Sequence, residues 1–299
     1  MTSFKVIISL LFVLITNLTF GQNELEEKEK KLYKKARVTT ETVMGYGIDS
    51  LGKPLDIGIK KSTRTFDKNG NAVAIIEYDK KSQPIKRKVF KYSKGRLIGG
   101  IVYKGFDQVI DKYKLKYDGN GNKTLKKGFL ESNPYQIIYT YDSKNRLLTK
   151  TKTANDKQIY KYAYTYGASG VTEEKYWSEK LNLTKTFEYN EAGLLVKQKS
   201  RTDQFQGYTY DYEYNDKGQR TKETKYTIEN LPYEWFIYVY DGENLKSIEK
   251  YDFRGNPSYK WRYAYNGKGN IDYIKIMESE EYIYQTKYLY KYFPKPKKK

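Results

Sequence analysis

The sequence predicts an all-β protein, an antiparallel meander of about ten β-hairpin repeats of about 25 residues each, coiled into a spiral or open shell. Three observations predict it. Aromatic residues keep a steady register at Phe66, Tyr92, Tyr117, Tyr141, Tyr166, Tyr189, Tyr214, Tyr240, Tyr265 and Tyr290, 23 to 26 residues apart. The first nine of these anchors run into a short turn signature, such as DKNG, DGNG, DSKN, NEAG or NDKG, with Asp, Asn, Ser or Gly first and, in all but SKGR, Gly or Asn fourth. Around the turns, aromatic or aliphatic residues alternate with Lys, Thr and Glu, as in YKYAYTY at 160–166, which sends one kind of side chain to each face of a strand.

Taken in order, the chain starts with a segment of signal-peptide form at 1–22: Lys5, an apolar run from Val6 to Ile15, and small Gly21 near the expected cut. Ten apolar residues are too few to span a bilayer, which takes about 20. The ending FGQ resembles signal peptides of the Bacteroidetes. Residues 23–36, rich in Glu and Lys with almost no apolar face, form a charged helical or disordered leader. A degenerate first repeat fills 37–65, with a weak turn at IDSLG. The repeat domain proper spans 66–292, and 293–299 (FPKPKKK) is a basic tail.

The turn residues have a mechanical role. Asp67, Asp118, Asp142, Asn190, Asn215, Asp241 and Asn266 stand first, where a side-chain oxygen accepts backbone hydrogen bonds. Gly70, Gly121, Asn145, Gly193, Gly218, Asn244 and Gly269 stand fourth, where the backbone needs positive φ. The opposite ends of the strands carry connections of mixed composition (ESNP, ENLP, RGNP), read as variable loops and so as the better place for binding. About nineteen strands at ~4.8 Å spacing make a path on the order of 90 Å, too long for a flat sheet. The tyrosine face is expected inward and the Lys/Glu/Thr face outward. A β-solenoid explains the paired turn positions less well, and an outer-membrane barrel lacks its lipid-facing band.

The strings YTYDSKNRLLTKT (139–151), FEYNEAGLLVKQK (187–199), YEYNDKGQRTKET (212–224) and YVYDGENLKSIEK (238–250) resemble YD repeats of the RHS and teneurin type. The likeness runs from about Phe66 to Tyr292. It implies a secreted or surface-displayed protein with a spiralling antiparallel sheet, and some members of that family are associated with carbohydrate binding. No segment follows the repeats that could serve as an enclosed toxin.

Composition narrows the chemistry. Zero cysteines exclude disulfides and thiolate chemistry, and zero histidines remove the commonest general base and metal ligand. No phosphate loop, calcium loop or catalytic elbow is present, and no carboxylate pair is marked out, so no cofactor, metal site or catalytic residue is assigned and a non-enzymatic role is expected. The balance of 56 Lys+Arg against 36 Asp+Glu favours anionic partners or surfaces. The expected function is glycan binding or adhesion at the cell envelope or outside the cell, with Trp177, Trp235 and Trp261 as ligand-binding candidates that stack on sugar rings. Two alternatives stand beside it: a scaffold for envelope proteins, and lysine-mediated capture of DNA or lipopolysaccharide. The address is periplasm, cell surface or medium, with no transmembrane span in the mature chain.

Overall fold

Alternating aromatic or β-branched residues with lysine and threonine suits a pleated, half-buried surface. In the computed structural model, which describes residues 29–202 and 205–294, that pattern yields twenty antiparallel strands. The first ten are β1 (Val38–Gly47), β2 (Ile59–Phe66), β3 (Ala72–Tyr78), β4 (Pro84–Ser93), β5 (Arg96–Lys104), β6 (Gln108–Tyr117), β7 (Lys123–Leu130), β8 (Asn133–Tyr141), β9 (Leu147–Ala154) and β10 (Lys157–Tyr166). The rest are β11 (Gly170–Trp177), β12 (Lys180–Tyr189), β13 (Leu195–Arg201), β14 (Gln206–Tyr214), β15 (Arg220–Tyr226), β16 (Pro232–Asp241), β17 (Asn244–Asp252), β18 (Pro257–Tyr265), β19 (Ile271–Glu278) and β20 (Glu281–Tyr292). The expected signal segment at 1–22, the first part of the leader and the end of the basic tail lie outside the described residues.

Each strand pairs with its successor, and β20 then pairs with β1, with Glu41 opposite Tyr290, Val43 opposite Tyr288 and Gly47 opposite Tyr284. The sheet is therefore a closed barrel, which corrects the expectation of an open spiral or shell of hairpin repeats. Closure satisfies both edge ladders at once, where an open sheet would leave two rows of bare N–H and C=O groups. The polar faces that argued against a membrane barrel bear on contact with lipid and not on closure.

Among the described residues the substantial strand-to-strand packing is between hydrogen-bonded neighbours. Twenty strands at ~4.8 Å, tilted by the usual ~35–45°, give a backbone diameter on the order of 40 Å. The interior is a lumen. Its lining is the tyrosine face, because side chains on a concave surface converge and shield one another. Accordingly Asp111, Lys126, Glu223, Lys225, Glu234 and Lys250, in phase with the tyrosines, are 14–24% exposed, while Glu188, Lys197, Lys199, Asp211, Glu213 and Lys222 on the other face are 36–62% exposed. Trp261, Ile274 and Ile276 head the largest buried cluster on the inner face.

A short helix, α1 (residues 29–36), lies against the seam where the ring closes. Tyr33 packs edge-on to Phe66 of β2 (4.6 Å) and near Tyr290 of β20 (6.3 Å). Beneath it Glu41, only 1% exposed, takes the Tyr33 hydroxyl and the Arg64 guanidinium (2.8 and 3.0 Å), and Arg64 also reaches Glu29 through two bonds of 2.8 and 3.0 Å. Burial alone would lower the Arg64 pKa, but Glu41, Tyr33 and Glu29 hold it above its usual value.

The anchor tyrosines have a second partner. The hydroxyls of Tyr92, Tyr117, Tyr141, Tyr166, Tyr214, Tyr265 and Tyr290 donate to the backbone carbonyls of Ala72, Leu97, Lys123, Leu147, Leu195, Leu245 and Ile271 at 2.7–3.0 Å. Each bond ties one hairpin to the start of the second strand in the preceding hairpin, beside the register shift that a bulge introduces there.

At the turns, Asp67, Asp118, Asp142, Asn190, Asn215 and Asn266 accept backbone N–H groups through their side chains, and Gly70, Gly121, Asn145, Gly193, Gly218 and Gly269 adopt φ of 61 to 88°. The DGEN turn differs. Asp241 and Asn244 face each other as the last strand pair, and Gly242 between them carries the positive φ of 59°. The opposite rim departs from the variable loops expected there. Glu131-Ser132, Asn155-Asp156, Ser178-Glu179 and Ser279-Glu280 are two-residue turns with both φ positive, the form that matches strand twist. Asp79, Thr227 and Asp252 head the same turn type that is found at the first rim.

Candidate lumenal binding site

Apart from the eleven-residue β1–β2 connection at 48–58, the described rim connections are short, so the strand faces offer the broader ligand surface. Registers on the lumenal side align two rows across β7 to β11: Lys126, Ile137, Lys152, Tyr160 and Trp177 in one, and Tyr139, Lys150, Tyr162 and Lys175 in the next. The consequence is a ladder in which ammonium groups sit between rings. The Lys126 Nζ is 3.9 Å from the Tyr113 ring centre and 5.4 Å from that of Tyr135. The Lys152 Nζ lies 5.1 Å from Tyr135 and 6.0 Å from Tyr160. That of Lys150 lies 5.8 Å from Tyr160 and 5.3 Å from Tyr162, and that of Lys175 is 5.7 Å from Tyr162.

Electrostatics of the ladder follow from partial burial. Desolvation lowers the Lys126 and Lys150 pKa values, with Asp111 and Glu173 respectively opposing it. Burial raises Tyr160, and burial together with the Asp111 hydrogen bond raises Tyr135. Both phenols are held in the neutral form, and Tyr135 donates to Asp111. Asp111 is itself occupied, accepting from Tyr135 at 2.9 and 3.1 Å and pairing with Lys126 at 3.6 Å. The arrangement offers flat rings, hydroxyl donors and a line of cations, but no free nucleophile beside a base. Among the described residues no cluster of three metal-ligating side chains occurs.

The three tryptophans do not converge. Trp177 ends the first lumenal row and is 54% exposed at the rim. Trp261 is buried in the lumenal cluster and stacks on Tyr259 at 5.8 Å. Trp235 points the other way, onto the outer face, where it stacks on Tyr251 at 5.7 Å and 9°. The lysines of the ladder were placed outside by simple alternation. The signal for Lys150 and Lys152 was present in the bulge at their turn: the register shift at Tyr141, opposite Leu147, brings them into phase with Tyr139.

No family model matches the sequence, and no curated protein does. Among solved structures, a porin-like protein from Bacteroides uniformis aligns over 86% of this chain and 97% of its own at 9% identity and a TM-score of 0.39. TcdB2-TccC3 without its hypervariable C-terminal region aligns over 77% of this chain at 12% identity and a TM-score of 0.30, and the match spans 15% of that much longer protein. A DUF3836 family protein from Bacteroides vulgatus aligns over 38% of this chain at 17% identity and a TM-score of 0.16.

Proposed function

We propose that the chain is an exported, non-enzymatic protein of the cell envelope that binds a carbohydrate chain bearing acidic groups along its lumen. The observation that carries this is the lysine–tyrosine ladder. Sugar rings present C–H faces that stack on phenol rings, and uronate or sulfate groups match ammonium donors already desolvated by the wall. The lumen is wide, so it suits a polymer threading or resting along one wall better than a small molecule enclosed in a pocket. The likeness of the hairpin strings to YD repeats, and the signal-like start, support the exported setting. Neither face carries a continuous apolar band: the inner one holds Lys126, Lys150, Glu173 and Lys185, the outer one Lys112, Lys114, Glu188 and Lys199. This argues against a wall that spans a bilayer.

A glycan array probed with the mature protein tests the reading. Binding to uronate- or sulfate-bearing glycans is expected, with roughly tenfold loss in Tyr160→Ala/Tyr162→Ala and in Lys150→Gln/Lys152→Gln, while Trp235→Ala on the outer face leaves it unchanged. Absence of glycan binding, or binding indifferent to both lumenal double variants, would sink it.

A further inference from the structure

The outer face is divided electrically into two halves. Within β2 to β10 the strands hold 19 lysines and arginines and only two carboxylates, Glu77 and Asp111. Both point into the lumen, where they pair with Lys88 (2.7 Å) and Lys126 (3.6 Å). The outer face of these nine strands thus presents no acidic side chain from any strand. Across β12 to β18, by contrast, outer lysines have carboxylate partners: Lys197 with Asp211 at 3.6 Å, Lys199 with Glu188 at 3.7 Å, Lys222 with Glu213 at 3.4 Å, and Lys260 with Glu249. Lysines kept only for solubility would follow that second pattern everywhere.

The unpaired half has a centre. Lys112, Lys114 and Lys116 alternate along β6, Lys127 stands directly opposite Lys114 on β7, and Lys91 on β4 lies in the same row beyond Gly99. All five lysines are exposed, and none has an ion-pair partner among the described residues. Like charges directly opposite one another destabilise a sheet, so the wall tolerates repulsion here. Two apolar side chains stand in the same patch. Phe129, opposite Lys112, is 54% exposed, and Ile138, beside Leu125, is 42% exposed. Arg87 sits over the Tyr103 ring, its guanidinium carbon 4.2 Å from the ring centre, along the edge.

We propose that this flank docks the barrel sideways onto an anionic lipid bilayer, with the lysines over headgroup phosphates and Phe129 and Ile138 reaching the acyl boundary. Cations alone would fit any polyanion. Interleaved exposed apolar side chains on one convex wall select a surface that has charge outside and hydrocarbon beneath.

Co-sedimentation of the full mature chain tests it with vesicles of phosphatidylcholine alone and of phosphatidylcholine containing phosphatidylglycerol. Binding to the anionic vesicles only, weakened by salt, is expected. Lys112→Gln/Lys114→Gln/Lys127→Gln should lose more than tenfold, since each lysine near such a surface contributes about fivefold, and Phe129→Ser should lose severalfold while keeping the salt dependence. Lys197→Gln/Lys199→Gln on the paired half should match the parent. The triple variant removes repulsion, so its melting temperature should be at least that of the parent, which separates lost docking from lost folding. Equal sedimentation with neutral vesicles, no sedimentation, or indifference to the triple variant would overturn the proposal. So would indifference to Phe129→Ser, which would mark the patch as one for soluble polyanions.

Discussion

At the residue scale, the seven anchor tyrosines explain why the repeat uses Tyr and not Phe. A bulge frees a carbonyl from the ladder, and a buried carbonyl without a partner is unfavourable. The phenol of the following hairpin supplies that partner. Tyr141→Phe should therefore cost about 1 kcal/mol in urea denaturation with the ring packing intact, and Tyr117→Phe and Tyr214→Phe the same; neutral effects at all three would remove the hydroxyl from any structural role. This second function was not legible in the sequence, where alternation identifies a ring on one face but says nothing of what its tip touches. The turn residues were legible because their requirement is local: Asp142 must accept backbone N–H groups and Asn145 must tolerate a φ of 61° within the same few residues.

At the scale of elements, α1 and the strands beneath it form the least repetitive part of the molecule. Glu41 is buried and held by Arg64 and Tyr33, so removing one partner leaves a stranded charge. Arg64→Ala is expected to lower stability by about 3–5 kcal/mol in the same urea assay, and a loss under about 1 kcal/mol would show that water replaces the guanidinium. The leader's charge run gave no apolar stripe from which this docking could be foreseen, because the contact rests on Tyr33 with Leu32 and Ala36, a single turn of apolar surface. The lumenal ladder was hidden for a different reason. Strict alternation assigns Lys150 and Lys152 outward, and only the bulge opposite Leu147 reverses that phase.

For the whole molecule, ring closure was beyond local reading, since it joins residues near 40 to residues near 290 and neither strand bears a mark of the other. The tyrosine lining has a collective consequence in base. Burial raises Tyr210, Tyr282 and Tyr288 to about 12, and the Glu278 hydrogen bond raises Tyr259 to about 12, against 10.0 in the unfolded chain. Their neutral form contributes stability that is complete below pH 10 and drains away as the pH rises to about 12. Lys126 and Lys150 act in the opposite sense but are outnumbered. Loss of far-ultraviolet ellipticity should therefore track the appearance of tyrosinate absorbance between pH 10 and 12; a barrel still folded after its tyrosines ionise would contradict it. The seam carries one more consequence. The Phe293 N–H meets the Arg37 carbonyl at 2.8 Å, and the Arg37 guanidinium reaches the Pro294 carbonyl at 2.6 Å, so the chain leaves the ring where it entered. Such a ring has no intrinsic first strand: a circular permutant linked there and reopened at Asn155-Asp156 would keep every strand pair except one hairpin connection. In the natural order, β1 waits for the last strand to be synthesised, and every shorter nascent chain carries two bare edges until β20 arrives.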